Sequence, residues 1–483
     1  MGYSVSLRKA APTSRIMVVA VMVSMVAFLD GTVVNLALPA IERDLGGGLP
    51  LQQWVVDGYL LSMAALILPG GSISDLFGRV RVMRFGLAAF GTGSILAATA
   101  SSPLMLIAGR AIQGMGAAFL VPGSLALINS TFDRAAQPAA IGTWTAWTGT
   151  AFALGPLLGG LAVDMLTWRW IYALSAVPMV LGFALTYWLC PMQAPAEHPR
   201  VDVGGAALSA GGLTACVYGL IESQQRGWTD PVVATSVSVG VIMLMFFVVW
   251  EHRATDPMVP MRLLADRNFA GANLATAFVY GGLGLGSLVI SLYIQEVGGY
   301  SATAAGMVTL PIPIMSFLFA RHVGALAARV GPGLFLVIGP VLAGTGLLVI
   351  ALSAGTVNVA ASVLPGMMML AAGLVATVTP LTSFALSAVD PARSGLASAI
   401  NNAMSRLSSL IAVACMGLIA AGSLTEVGFA RLLQVSAVLF FGGAITCGLT
   451  AARSGAHVHA VPCEVAALCR DRGGVQPALA SSS

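Results

Sequence analysis

Charge is what this sequence has least of. Only 9% of its 483 residues are Asp, Glu, Lys or Arg, where a soluble globular protein carries about 25%. Too few charges are present to cover a water-exposed surface. Lysine is almost missing. Lys9 is the only one, so 22 of the 23 basic residues are arginine (23 minus one). That excludes a GxxxxGK[ST] phosphate loop and a lysine Schiff base for pyridoxal phosphate. Energy for any active process must then come from an ion gradient or from a separate ATPase subunit. Cysteine is sparse too. Cys190, Cys216, Cys415 and Cys447 lie in or beside apolar runs, and with Cys463 and Cys469 they form no disulfide framework. His457, His459, Cys463 and Cys469 match no usual zinc spacing. No His/Cys/carboxylate cluster has catalytic spacing, so the reading is no enzyme, no metal, no cofactor and no nucleic-acid partner. No stretch outside the apolar runs is long enough for a soluble domain of ~100 residues.

What the chain does have is apolar length. It is 57% hydrophobic with a mean hydropathy of +0.90. A membrane-crossing helix needs about 20 apolar residues. Fourteen such runs are expected at 16–40, 52–72, 84–101, 104–128, 138–163, 170–190, 203–221, 231–250, 269–294, 303–325, 333–354, 359–386, 395–420 and 430–450. The fold class is therefore an all-α polytopic membrane protein. Arg8, Lys9 and Arg15 before the first run imitate a signal peptide. The run is too long for one, contains Asp30 and shows no convincing cleavage site, so it is read as a retained first span. Arginines concentrate on one set of loops, including Arg79, Arg81, Arg84, Arg134, Arg200, Arg253, Arg262, Arg267, Arg321, Arg329 and Arg393. By the positive-inside rule these loops and both termini face the cytoplasm.

Loop composition divides the chain. A cytoplasmic tail (1–15) precedes six spans (16–190). A linker (191–268) carries two spans with almost no ionisable residues. Six more spans (269–450) and a polar tail (451–483), expected to be flexible, complete it.

A few polar residues interrupt the apolar runs. Asp30, in LDGTVVNLALP, sits on the order of 20 Å into the first run. A bare carboxylate there costs about 3 kcal/mol or more in a bilayer. Such residues mark proton or ion sites; the alternative is a structural acid paired with an arginine. Asp57 and Arg110 lie at comparable depth in the second and fourth spans, so the three are expected to share one polar site. Trp54 and Tyr59 flank Asp57 as an interfacial belt would, which leaves open a simple cap there. GSISDLFGRVR reads as a charged cytoplasmic turn and gate latch, with Gly71, Asp75, Gly78, Arg79 and Arg81 as its residues, the glycines permitting close helix approach. ALGPLLGG places Gly155, Pro156, Gly159 and Gly160 in the fifth span, where small residues four apart let helices touch. Asn35, Gln113, Trp144, Trp147, Asn401 and Arg406 are candidate lining residues of a substrate cavity.

Together these stretches resemble the major facilitator superfamily, and within it the fourteen-span drug:proton antiporter branch of EmrB/QacA type. LDGTVVNLALP is similar to its first-helix motif, GSISDLFGRVR to the superfamily loop signature, RAIQGMGAA to the fourth-helix motif and GPLLGG to the antiporter motif. WRWIY, SLYIQEVGGYSATAAGMVTLP and SGLASAINNAMSRLSS resemble later segments. The likeness runs from about 15 to 450. It implies two six-helix bundles around a central cavity, two extra helices between them, and alternating access. It also implies proton coupling through Asp30 and Arg110, with Asp57 in support. Three departures stand out. Ala151 replaces a frequent glycine of the antiporter motif. The second-half counterpart of the loop signature, RHVGALAARVGPG, lacks its acid. Spans ten and thirteen hold no carboxylate. The last favours a neutral, monocationic or anionic amphiphile over a dication.

The expected function is proton-driven export of drugs, antibiotics or other amphiphiles from the inner membrane of a bacterium. The expected partners are substrate, protons and the lipid bilayer, with the chain a monomer, with or without an adaptor. Export of one endogenous metabolite, or import of a nutrient on the same fold, are the alternatives.

Overall fold

The computed structural model describes residues 13–133, 136–189, 201–255, 257–352, 357–390, 394–421 and 424–453. The tail residues His457, His459, Cys463 and Cys469 lie outside them. Every regular element among the described residues is a helix. In chain order these are α1 (Thr13–Leu45), α2 (Gly48–Phe77), α3 (Arg79–Ala98), α4 (Pro103–Thr131), α5 (Gln137–Met165), α6 (Trp170–Leu174) and α7 (Ala176–Leu189). Then come α8 (Val203–Arg226), α9 (Pro231–Arg253), α10 (Met261–Ala265), α11 (Arg267–Leu292), α12 (Ala302–Thr309) and α13 (Pro311–Val330). The last are α14 (Gly333–Ala351), α15 (Leu364–Ser387), α16 (Ser394–Ala414), α17 (Met416–Ile419) and α18 (Glu426–Arg453). Short π-helical turns, Tyr293–Val297 and Val359–Val363, end α11 and begin α15.

Each of the fourteen expected spans coincides with a helix or a pair of abutting helices. Thirteen spans among the described residues are long and apolar enough to cross a membrane. The remaining one, expected at 395–420, is built by α16 and α17 but is too polar to count. Its face bearing Leu407, Leu410 and Ala414 packs on α2 and α8. Its other face carries Asn401, Asn402, Ser405, Ser408 and Ser409, bonded within the helix or to α11.

Helices overrun the apolar windows because the backbone stays helical until something stops it. α1 continues past Ala40 until Gly46 and Gly47, at φ 70° and 97°, break it. The segment read as a cytoplasmic turn is a clearer correction. Gly71–Phe77 are the last two turns of α2, and Arg79–Arg81 already begin α3. Only Gly78 interrupts, at φ 90° and ψ 128°, a region that side chains with a Cβ rarely occupy. Gly71 opens no close approach, since a Cβ there would meet nothing within 4 Å. Arg79 donates to the Ala126 carbonyl on α4 at 3.3 Å, and Arg81 is exposed. The Asp75 side chain lies outside what is described. Gly78→Ala is expected to cost about 1–3 kcal/mol through backbone strain, read as a lowered melting temperature of the purified protein in detergent.

Close glycine contacts fix the helix pairs. A Cβ on Gly93 would lie 2.6 Å from the Gly109 carbonyl, and one on Gly116 2.5 Å from the Gly86 carbonyl, locking α3 to α4. α8 and α9 pair through Gly212 and Gly240. α8 also wedges against α2 and α16, whereas the span formed by α9 is only 11% buried.

The two halves of the chain are tied by polar contacts at one end. Gln52 donates to Glu296 at 3.0 Å. Gln53 donates to the Val413 and Ala414 carbonyls at 2.8 and 3.0 Å. Ser291 donates to the Asn35 carbonyl at 3.1 Å. Asp164 accepts from the Ala302 and Thr303 amides at 3.0 and 2.8 Å. This is the end where α1, α5 and α11 finish and where α2 and α12 start. A hydrophobic cluster spanning Val33–Ile41, Leu288–Ile294 and Ala302–Val308 seals it.

Candidate functional site

Asp30, Arg110 and Gln113 meet at the heart of the first half. Arg110 and Gln113 are three apart on α4, so both face α1. One Arg110 terminal nitrogen donates to Asp30 Oδ2 at 2.6 Å and to Gln113 Oε1 at 2.9 Å. Arg110 Nε donates to the Val55 carbonyl at 2.8 Å. Gln113 donates to Ser94 Oγ at 2.8 Å and, more weakly, to Asp30 Oδ1 at 3.4 Å. Asp30 is 3% exposed, Arg110 1% and Gln113 0%. Tyr59 completes the cluster, its ring centroid 4.5 Å from the Arg110 guanidinium carbon. The close approach that brings it there is glycine-dependent, because Gly114, one turn after Arg110, lies against the Tyr59 carbonyl. Tyr59 is 5% exposed, so it is a buried cation–π partner and not a belt residue.

Asp57 does not join this cluster. Neither carboxylate oxygen has a hydrogen-bond partner among the described residues, and both are buried. Its charge is felt by Cys415, at the break between α16 and α17. One turn earlier, Gln53 binds the two carbonyls released by that break and accepts from Gln224 of α8 at 2.8 Å. Asp57 therefore sits at the seam of α2 with α16 and α17. The expectation that it shares one polar site with Asp30 and Arg110 is not met, because α2 presents Asp57 away from the Arg110 hydrogen bonds.

The antiporter-like motif works at two contacts. Gly155 and Gly159 receive Thr32 and Val33 of α1. Gly160 presses on α12, where a Cβ would be 2.6 Å from Thr303 Cα, and the Pro156 carbonyl lies against Gly306. One turn on, Asp164 caps the start of α12 across the seam, its charge placed where helix amide hydrogens converge. Asp164→Ala should raise hydrogen exchange at the Ala302 and Thr303 amides about tenfold, the equivalent of ~1.4 kcal/mol. An unchanged rate would show that this cap does not hold the seam.

The remaining candidates are scattered. Trp144 is buried, stacks edge-on with Phe28 at 6.1 Å and donates its indole N–H to Ser24 Oγ at 3.0 Å, bracing α5 on α1. Trp147 is exposed. Asn35 is half-buried. Asn401 donates to Thr276 and Asn273 and so belongs to the α16–α11 seam. Arg406 has a buried Nε without a partner. Tyr59, Gln53 and Asp164 were missed as site residues. The adjacent glutamines Gln52 and Gln53 at the start of an apolar run, and an acid one turn after GPLLGG, were the available signals.

Among the described residues no group of His, Cys, Asp and Glu is placed to hold a metal. A family model described as the Major Facilitator Superfamily matches residues 20–413. The chain belongs to that superfamily. The fold is shared with solved structures: a peptide transporter POT in complex with sulfate superposes with a TM-score of 0.67 at 16% identity, covering 92% of this chain and 94% of that one. Among curated relatives, the puromycin resistance protein pur8 of Streptomyces alboniger is 38% identical over 61% of this chain and 59% of its own length. The methylenomycin A resistance protein of Bacillus subtilis is 34% identical over 63% and 66%. The tetracenomycin C resistance and export protein of Streptomyces glaucescens is 32% identical over 70% and 63%. The chain thus spans roughly three-fifths to two-thirds of the length of these relatives.

Proposed function

We propose that this superfamily member is a proton-coupled antiporter of the fourteen-span drug:proton branch, exporting amphiphilic small molecules across the inner membrane. The names of its relatives, resistance and export proteins for several antibiotics, support export. The observation that carries proton coupling is the Asp30–Arg110 ion pair of 2.6 Å with both side chains 2% exposed.

A buried pair of this kind is held by mutual compensation. Removing the charge on one member leaves the other uncompensated, at a cost of several kcal/mol. A proton on Asp30 does this reversibly. It releases Arg110, loosens α1 from α4, and biases the halves towards the other orientation. Asp57 is a second acid in the same reading. A carboxylate buried without a donor is costly to keep charged, so this seam is the second place where a proton could be bound and released as the halves part. We read α1–α7 and α11–α18 as the two bundles, α8 and α9 as the inserted pair, and both termini as cytoplasmic. The sealed end then faces outward, and substrate enters from the cytoplasmic side. The reading requires a proton gradient, a bilayer and substrate, and neither cofactor nor second subunit.

The test is transport by the full chain in everted membrane vesicles. An imposed pH gradient, acid inside, should drive accumulation of a dye such as ethidium or of an anionic counterpart, with protons leaving as substrate enters. Gradient-independent equilibration of both would refute coupling.

A further inference from the structure

One arginine of the second half sits on a helix, α16, that packs against helices of both halves. Arg406 lies mid-way along α16. Among the described residues it has no hydrogen bond and no ion pair, and its Nε is buried. Asp30, which with Arg406 acts on Tyr59, is paired with Arg110 at 2.6 Å. Asp57 lies one turn after Gln53, which is bonded to the Val413 and Ala414 carbonyls at the end of α16. The helix of Arg406 packs against both α2 and α11, and Ser409, one turn after Arg406, donates to the Tyr280 carbonyl of α11 at 3.0 Å; the phenols of Tyr59 on α2 and Tyr280 on α11 are the groups that feel the Arg406 charge. Neither phenol hydroxyl has a hydrogen-bond partner among the described residues. Tyr59 in turn covers Arg110, so this set stands beside the proton-coupling cluster and bridges the two halves.

The chemistry of the set is one-sided. A guanidinium offers up to five N–H donors in a planar fork and no acceptor. Two phenols add two O–H donors. With Asp30 and Arg110 cancelling, the local balance is one positive charge. A half-buried guanidinium whose Nε is buried without an acceptor has donors left to offer a ligand. An oxyanion of planar or trigonal geometry fits it bidentately.

We propose that Arg406, with Tyr59 and Tyr280, is a recognition subsite for the anionic group of the transported amphiphile, a carboxylate or sulfonate. This rests on the exporter reading above and narrows its substrate class. The anion would compete for donors next to the Asp30–Arg110 pair, so substrate occupancy and proton occupancy are felt at adjoining positions.

The test uses the full-length protein with two fluorescent probes, anilinonaphthalene sulfonate as the anion and ethidium as the cation. Binding is titrated in detergent, and pH-gradient-driven transport is followed in proteoliposomes. Arg406→Gln should weaken sulfonate binding about tenfold or more while leaving ethidium binding within about twofold. Arg406→Lys, which keeps the charge but not the fork, should fall between. Tyr280→Phe should weaken the sulfonate about threefold with normal melting behaviour. Equal sulfonate affinity in wild type and Arg406→Gln would overturn the subsite. So would an equal loss of both probes, which would assign Arg406 to coupling or folding. If the wild-type chain transports neither probe yet binds the sulfonate through Arg406, the subsite stands and the exporter reading falls.

Discussion

Asp30→Asn should abolish uphill transport while leaving the protein folded. In everted vesicles under a pH gradient, accumulation should drop at least about 100-fold, the size of effect expected when a proton-transferring group is removed. Downhill equilibration of the same dye should persist. The asparagine keeps an oxygen for Arg110, and Arg110 keeps the Val55 carbonyl and Gln113 Oε1 as acceptors, so the helix packing has reason to survive. What is lost is a group that can gain and release a proton. Arg110 is then permanently uncompensated, which should also lower the melting temperature. Asp30→Glu separates the two effects. It restores a titratable acid at the cost of one methylene in a packed site, so partial coupling should return. Full uphill transport by the asparagine variant would remove Asp30 from the mechanism.

The second large effect is expected at Gly160. A valine there places Cβ 2.6 Å from Thr303 Cα and 2.7 Å from the Ala302 carbonyl. Both are backbone atoms at the start of α12, so no side chain can rotate away, and the overpacking cost of about 1–3 kcal/mol or more falls on the seam itself. The cheapest relief is to move α5 and α12 apart. Spin labels at Leu166 and Tyr300, which are 58% and 40% exposed, should report a longer and broader distance, and proteoliposomes should leak protons. Coupled transport should be lost even though Asp30 and Arg110 are untouched. Gly142→Val on the same helix is the control, since a Cβ there meets nothing within 4 Å. An unchanged label distance in Gly160→Val would show that this contact does not close the end.

Much of the architecture was legible without coordinates. An apolar run of 20 residues has one stable conformation in a bilayer, the helix, because every backbone polar group must be satisfied within it. Hence the expected spans coincide with helices, thirteen of them long and apolar enough to cross a membrane, while α16 is a helix too polar to be counted with them. The segment around Gly78 was misjudged for a local reason. Charged residues suggested a solvated turn, yet nothing between Gly71 and Phe77 breaks a helix. Tyr59 was misjudged for a geometric one. Proximity to Trp54 in sequence resembles a membrane belt, but the ring's direction depends on Gly114 of another helix.

The sequence by itself determined that the chain has many helices long and apolar enough to cross a membrane, that Asp30, Asp57 and Arg110 lie inside such helices, and that GPLLGG forms a close helix contact. These follow from local composition, which sets whether a residue is in the bilayer and how deep. Only the tertiary structure decided that Arg110 pairs directly with Asp30 while Gln113 braces both, that Asp57 lies apart from that pair without a hydrogen-bond partner among the described residues, that Arg406 has no acid paired with it there, and which end of the molecule is sealed. The reason is that lipid is as apolar as the helix interior. Hydrophobic periodicity therefore carries little record of how each helix is rotated about its axis. That rotation is set by where glycines such as Gly93, Gly114 and Gly160 meet backbone from helices elsewhere in the chain, and it alone determines which buried charge meets which.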